Sequence, residues 1–365
     1  MVQRKIIRLK EEGEIMMYHI TCNTDDKYVQ HCMAMLCSLF KNNIKYNFAL
    51  HILEHGLSGY NKSELTRLSL EYKNEIYFHQ VDENVLNGVQ FRKKRPLTKA
   101  AYYRLLLSSI LPNVDMVLYL DCDMIVLGDV SELFNLDLSN YALAACLDPM
   151  PFNDLHRRQL NIPVGNPCFC SGIMLVNLKY WREHDAENKL LSFARKKREP
   201  VFLHDQDVLN HVFTGVWYLL PPKWNRPSFL SFSKNDDFKG FDYVEMYKHP
   251  CVIHYNNQTA KPWFNVYSPL RDYYLLYLKK SKYNKIVFQN ISLKSKLSIW
   301  RASFHCFYSE SIEPFLPQLI VILIGDIKLL FKIFMICLKG IYKNREWTRE
   351  NREQLLKQLY NNKTH

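Results

Sequence analysis

Apolar positions along this chain fall into short dense runs separated by polar turns. Residues 18–22, 48–53 and 75–78 each read as strands, and between them 29–40 and 63–72 carry apolar side chains at helical period. Strand, polar turn, helix and strand again is how a nucleotide-binding βαβ unit begins. The first turn, at 23–28, lacks the G-x-G-x-x-G fingerprint, which argues against a nicotinamide enzyme.

The densest run, Val117-Leu118-Tyr119-Leu120, suits a strand buried on both faces of a parallel sheet. It stops at Asp121 and Asp123, at the carboxyl end where open α/β sheets place ligands. Two carboxylates this close repel one another unless something positive lies between them, and a hard divalent cation such as Mg²⁺ or Mn²⁺ fits. An Asp-x-Asp triplet arises by chance roughly once in a chain of this length, so its weight comes from the strand ahead of it.

Further polar residues interrupt the apolar pattern. Residues 98–111 predict a helix stopped by Pro112, and Arg104 inside it either snorkels to the surface or aims its guanidinium at a phosphate or carboxylate. Residues 141–147 predict a strand ending in Asp148, and 169–178 another, in which Gly172 suggests a close backbone approach to a ligand or partner strand. His204-Asp205-Gln206-Asp207 opens a helix. An Asp N-cap explains one of these acids but not the whole polar cluster. His254 ends a strand at 252–255, ahead of Lys261-Pro262-Trp263; a lone histidine is more often structural than a metal ligand.

Composition refines this picture at the C-terminus. The chain has 365 residues, 48% hydrophobic, enough for one large α/β domain with an appendage. Its net charge of +12 is concentrated in residues 279–365, which hold 16 Lys and Arg against 6 Asp and Glu. Residues 316–338 are apolar but broken by Asp326, Lys328 and Lys332, a poor span and a better interfacial segment on an anionic membrane surface. No RNA or DNA module is recognisable, so no nucleic-acid partner is expected. Ten cysteines without finger spacing, and no signal peptide, predict free thiols in a reducing cytosol. Glu11-Glu12-Gly13 implies a purine-rich coding run ahead of Met16, which suggests translation starting there and makes 1–15 an N-terminal extension.

Taken together, TDDKY at 24–28, AAYYRLLL at 100–107, LYLDCDMIVLGDV at 118–130, ACLDP at 145–149, SGIMLVNL at 171–178, HDQDVLN at 204–210, and HY with KPW at 254–263 resemble glycosyltransferase family eight. That family includes glycogenin and bacterial lipopolysaccharide galactosyl- and glucosyltransferases, and the resemblance covers roughly residues 16–275. It implies a GT-A fold, a Rossmann-like α/β nucleotide-diphosphosugar transferase, acting with retention and with Mn²⁺ or Mg²⁺. The donor it implies is a UDP-sugar and the acceptor a saccharide. By the same resemblance Asp121, Asp123 and His254 are the metal ligands, and Lys261 is the cation on the leaving diphosphate. Asn23, Asp25 and Lys27 correspond to the loop contacting base and ribose. Arg104, Asp148 and Asp205 correspond to donor-sugar contacts, and Gln206 lies beneath the anomeric carbon.

Two positions depart from the family pattern: Cys170 stands where relatives usually have Asn, and the stretch between His254 and Lys261 is one residue longer. Residues 276–365 lie outside the resemblance and are expected to hold the enzyme at the inner face of the cell membrane, near a lipid-linked acceptor. Two rival readings are a haloacid-dehalogenase-type phosphatase and a non-catalytic basic membrane-surface protein. The first usually wants Thr or Val where this chain has Ile125, and the second leaves the polar clusters at 121, 205 and 254 without purpose.

Overall fold

The computed structural model describes residues 17–91, 99–148, 154–163, 165–196, 203–228, 243–257, 261–265 and 268–287. The first half alternates strand and helix as its apolar periods require: β1 (Met17–Thr24), α1 (Val29–Asn42), β2 (Asn47–Glu54), α2 (Gly59–Glu71) and β3 (Glu75–Gln80). Ser58 caps α2 by accepting from the Asn61 N–H, which satisfies one of the donors a helix start leaves unpaired. Then follow α3 (Leu107–Ile110), β4 (Met116–Leu120), β5 (Met124–Val126), α4 (Ser131–Phe134), β6 (Leu143–Leu147) and α5 (Asp154–Gln159). The remainder comprises β7 (Phe169–Asn177), α6 (Leu178–Glu183), α7 (Ala186–Lys196), α8 (Asp205–Val212), β8 (Trp217–Leu219), β9 (Arg226–Pro227), α9 (Tyr243–Lys248), β10 (Val252–His254) and α10 (Arg271–Lys280).

Among the described residues, seven strands form the main sheet in the order β3-β2-β1-β4-β7-β6-β8. The chain leaves β1 toward β2 and β3 on one side and returns to its other side with β4, so the strand order reverses between β1 and β4. Reversal opens a crevice at their carboxyl ends, the place where such sheets bind ligands. A second sheet, β5-β10-β9, carries the segment just after β4 and brings His254 to it.

Three expectations are corrected. β4 is parallel to β1 but antiparallel to β7, so the central strand lies in a mixed sheet; a wholly apolar run reports burial of both faces and says nothing about direction. The helix expected over 98–111 is a 3₁₀ segment, Lys99–Leu106, followed by the single turn of α3. Its tighter winding accompanies Arg104, whose Nε donates to Ala101 O at 3.1 Å as the guanidinium turns inward. Finally, α10 runs across the boundary expected at 275–276. Tyr274 and Tyr277 are buried and bond to His31 and Asn42 of α1, while Tyr283 reaches Asn61 of α2. The unit built on the main sheet therefore continues at least to Val287, whose N–H donates to Gln30 Oε1 of α1 at 2.8 Å. The N-terminal extension and the apolar segment at 316–338 lie outside the described residues.

Candidate active site

The carboxyl end of β4 is held from below and from both sides. Asp121 N–H donates to Gly172 O of β7 at 2.8 Å, and Tyr255 N–H to Asp123 O at 2.9 Å, so both acids sit on backbone tied to neighbouring strands. Gly172 is needed here: a Cβ would lie 2.5 Å from His254 Cε1 and 2.9 Å from Asp121 Oδ2. The close approach read from the sequence is thus between β7 and these two site residues.

Arg104 does not snorkel. It is only 5% exposed and its guanidinium is an inward hub. Nη2 donates to Asp121 Oδ1 at 2.8 Å, Nε lies 3.1 Å from Asp205 Oδ2, and Nη1 donates to Ser171 O at 2.7 Å. The guanidinium also stacks on Tyr119, 4.4 Å from the ring centroid, and the Tyr119 hydroxyl donates to Asn23 Oδ1. Burial raises the pKa of Asp205 to about 6, because Arg104 is shared with Asp121 and offsets the desolvation only in part. Asp121 is raised for the same reason.

Asp123 has its own cations. Lys261 Nζ donates to Oδ2, and His254 Nε2 lies 3.4 Å from Oδ1 and 3.9 Å from Asp121 Oδ2. Burial opposes ionisation of Asp123, but Lys261 and His254 outweigh it and hold the carboxyl far below the usual range. His254 is in turn pushed up to about 10: burial lowers it, and Asp123 more than reverses that. Its Nδ1 pairs with Asn225 Oδ1 at 2.9 Å, which fixes the ring. The carboxylate oxygens not engaged by Arg104 and Lys261 are the ones facing His254 Nε2. One ligand atom from each of Asp121, Asp123 and His254 falls within 4.8 Å of the other two.

On the far side, Gln206 lies in the first turn of α8 against β7. Its Oε1 accepts the Ser171 N–H at 3.0 Å and its Nε2 donates to Asp148 Oδ2, so both ends of the amide are specified. Asn210, one turn on, bonds both the N–H and C=O of Phe169 and locks the helix to the strand. Asp205 is not an N-cap. His204 occupies that position at φ 56°, a sparsely populated conformation for a non-glycine residue, and it swings Asp205 inward to Arg104. Asp207 Oδ2 accepts the Leu203 N–H at 2.7 Å and ties the first turn of α8 back to the chain ahead of it.

Of the expected first loop, Asn23 joins the cluster through Tyr119. Asp25 uses Oδ1 to accept from Lys27 N–H and Tyr28 N–H, shaping the turn into α1. Lys27 is exposed at the mouth. Sequence reasoning missed Tyr119, Ser171 and Asn225. Tyr119 hides in an apolar run and Asn225 carries no local signal, but Ser171 adjoins the conspicuous Gly172.

The chain is 32% identical over 284 residues to General stress protein A of Bacillus subtilis, covering 75% of this chain and 97% of that protein. It is 25% identical over 256 residues to a lipopolysaccharide 1,2-glucosyltransferase of Escherichia coli, covering 67% and 73%. Among solved structures, the galactosyltransferase LgtC in complex with donor and acceptor sugar analogues superposes with a TM-score of 0.64 at 22% identity. That match covers 78% of this chain and 99% of LgtC, and it shows a shared GT-A-like α/β fold with a mostly parallel central sheet. The model of Glycosyl transferase family 8 matches residues 19–266, more than half of the sequence and the whole of the site, and the chain belongs to that family.

Proposed function

We propose that this glycosyltransferase moves a hexose, galactose or glucose, from a UDP-sugar to a saccharide acceptor with retention at the anomeric carbon. The acceptor belongs to lipopolysaccharide, capsule or another cell-surface glycan. The observation that carries the reading is the convergence of Asp121, Asp123 and His254 beside Lys261, with a fixed Gln206 amide across the same crevice.

The donor set fits a divalent ion. Two carboxylates and an imidazole with its second nitrogen held by Asn225 make an oxygen-rich site with a supported histidine, suited to Mn²⁺ or Mg²⁺. When bound, such an ion would offset charge on the donor diphosphate. Arg104 and Lys261 pair with the two acids on the sides away from His254, so part of their charge is offset by the chain's own cations. Lys261 adds a buried positive charge for the leaving diphosphate.

Asn23, Asp25 and Lys27, at the end of β1, are where base and ribose would lie. Arg104, Asp148 and Asp205 line the sugar side. Gln206 would steady an oxocarbenium-like transition state; a neutral amide is a poor nucleophile, which favours front-side displacement over a glycosyl-enzyme. The acceptor oxygen forms its bond to the anomeric carbon as the bond to phosphate breaks, and the departing phosphate oxygen takes the acceptor proton. A phosphatase would need Asp121 as nucleophile, and Arg104 instead pins that carboxylate.

The concentration of positive charge in 279–365 supports a peripheral position on the cytoplasmic face of an anionic membrane, near a lipid-linked acceptor. Among the described residues no helix is long and apolar enough to cross a membrane. Assaying a panel of nucleotide sugars for metal-dependent hydrolysis and transfer tests the donor. Turnover of a UDP-hexose with Mn²⁺ is expected, and turnover of simple phosphate esters instead would refute the reading. Sedimentation with anionic vesicles tests location: binding at low salt that weakens as salt rises is expected, and a protein left in the supernatant at low salt would refute it.

A further inference from the structure

Directly behind the two carboxylates lies a cluster that sugar transfer does not use. Cys122 is the residue between Asp121 and Asp123, Cys22 stands near the end of β1, and Cys32 is in the first turn of α1. Their three Sγ atoms all lie within 4.8 Å of one another. Cys22 and Cys32 are 3.7 Å apart, and Cys122 Sγ donates to Asn23 O at 3.1 Å. Cysteine is often buried simply as a small apolar side chain, and any one of the three is explained that way. Three sulfurs converging from three separate segments are not. A three-coordinate soft ion bonded to thiolates at about 2.3 Å holds them roughly 3.5–4 Å apart, close to the 3.7 Å already separating Cys22 and Cys32.

Charge selects the kind of ion. All three thiols are buried, and Cys122 is flanked in the chain by the carboxylates of Asp121 and Asp123. A monovalent or divalent ion on three thiolates would leave net negative charge buried beside those acids, which is costly. A trivalent ion gives a neutral complex.

We propose that Cys22, Cys32 and Cys122 form a binding site for a trivalent thiophilic ion of the arsenite class, and that its occupation disables the adjoining carboxylate pair. Three As–S bonds form and three As–O bonds break. The three hydroxyls leave as water with the three thiol protons, and no atom changes oxidation state. Cys122 then gives up its hydrogen bond to Asn23 O and draws the peptide carrying Asp121 and Asp123 toward β1 and α1. The loss of transfer rests on the function proposed above; the binding does not.

The test uses reduced full-length protein and sodium arsenite. Native mass spectrometry is expected to show the gain of one arsenic less three hydrogens, and thiol titration three fewer reactive groups. X-ray absorption at the arsenic edge should count three sulfur neighbours; two sulfurs and an oxygen, or no uptake by the folded protein, overturns the site without recourse to any variant. Cys22→Ala and Cys32→Ala should each bind at least ~100-fold more weakly, since even losing a supporting residue around a metal costs about 10- to 100-fold. Cys37→Ala, on the same helix, should bind as the parent does. If Cys32→Ala binds arsenite like the parent, the ion sits elsewhere and the proposal fails. Arsenite should abolish donor turnover in the parent but not in Cys32→Ala; binding without that loss would refute the coupling to the carboxylates while leaving the family function standing.

Discussion

Replacing Gly172 with alanine inserts a single methyl at the point where β7 meets both site acids and the histidine. The new Cβ would lie 2.5 Å from His254 Cε1, 2.9 Å from Asp121 Oδ2 and 2.9 Å from Met124 Cε. Non-bonded carbon atoms rest near 3.5 Å or more, so His254 and β7 must separate by about 1 Å. Met124 can swing its terminal methyl away at little cost. Asp121 is held by Arg104, and His254 by Asn225 and Asp123, so neither yields freely. Overpacking of this kind costs about 1–3 kcal/mol. At about 2–4 °C per kcal/mol for a domain of this size, the melting temperature should fall by roughly 2–12 °C. The same displacement moves a proposed metal ligand, and a misplacement of about 1 Å near the chemistry lowers rates on the order of 100-fold. Thermal melting and donor turnover titrated with Mn²⁺ read the two effects separately. An alanine variant with unchanged melting and an unchanged Mn²⁺ requirement would show that the contact between β7 and the carboxylate–histidine cluster is not tight.

Gln206→Ala should lower kcat by about 10- to 1000-fold with little change in donor KM, the mark of an interaction made chiefly in the transition state; a sugar adduct trapped on Gln206 in the parent enzyme would contradict front-side displacement. Asp205, raised to about 6 when folded, favours the folded state most when protonated. Its contribution is fully present below the unfolded value near 3.9 and is lost as pH rises through about 6, so parent and Asp205→Asn melting curves should diverge across that window. Parallel curves would mean that Asp205 titrates normally. Ending the chain after residue 276 removes Tyr277, Leu278 and Tyr283 from the core and should abolish cooperative melting, whereas ending it after Val287 should preserve it; equal melting of the two would detach α10 from the fold.

Much of the site could be read in the sequence because its residues break strong local patterns. Asp121 and Asp123 end an apolar run, Gly172 interrupts one, and the polar cluster at 204–207 precedes an apolar helix face. The acids lie at the carboxyl end of β4, Gly172 near the amino end of the antiparallel β7 and residues 204–207 at the start of α8, and the topology turns all three toward one crevice. What could not be read depends on partners distant in sequence. Arg104 is drawn inward by Asp121, Ser171 and Asp205, and the 3₁₀ winding of its segment accompanies those bonds rather than any local propensity. The antiparallel pairing of β4 with β7 depends on how the intervening chain returns, which the apolar run in either strand does not encode. The family resemblance stops near 275, yet Tyr277 and Tyr283 carry the fold past it by bonding to Asn42 and Asn61. Asn225 matters only because β9 lies beside β10, so its role emerges with the second sheet.

The central claim is that Asp121 and Asp123 hold a divalent ion for transfer from a nucleotide sugar. It is tested most directly by titrating Mn²⁺ into metal-stripped protein while following UDP-hexose turnover in the parent, Asp121→Asn and Asp123→Asn. The account predicts turnover that appears only with the ion in the parent and is absent in both variants, with cooperative melting of each variant as the check that the fold persists. Near-normal turnover by either variant at limiting Mn²⁺ would contradict it.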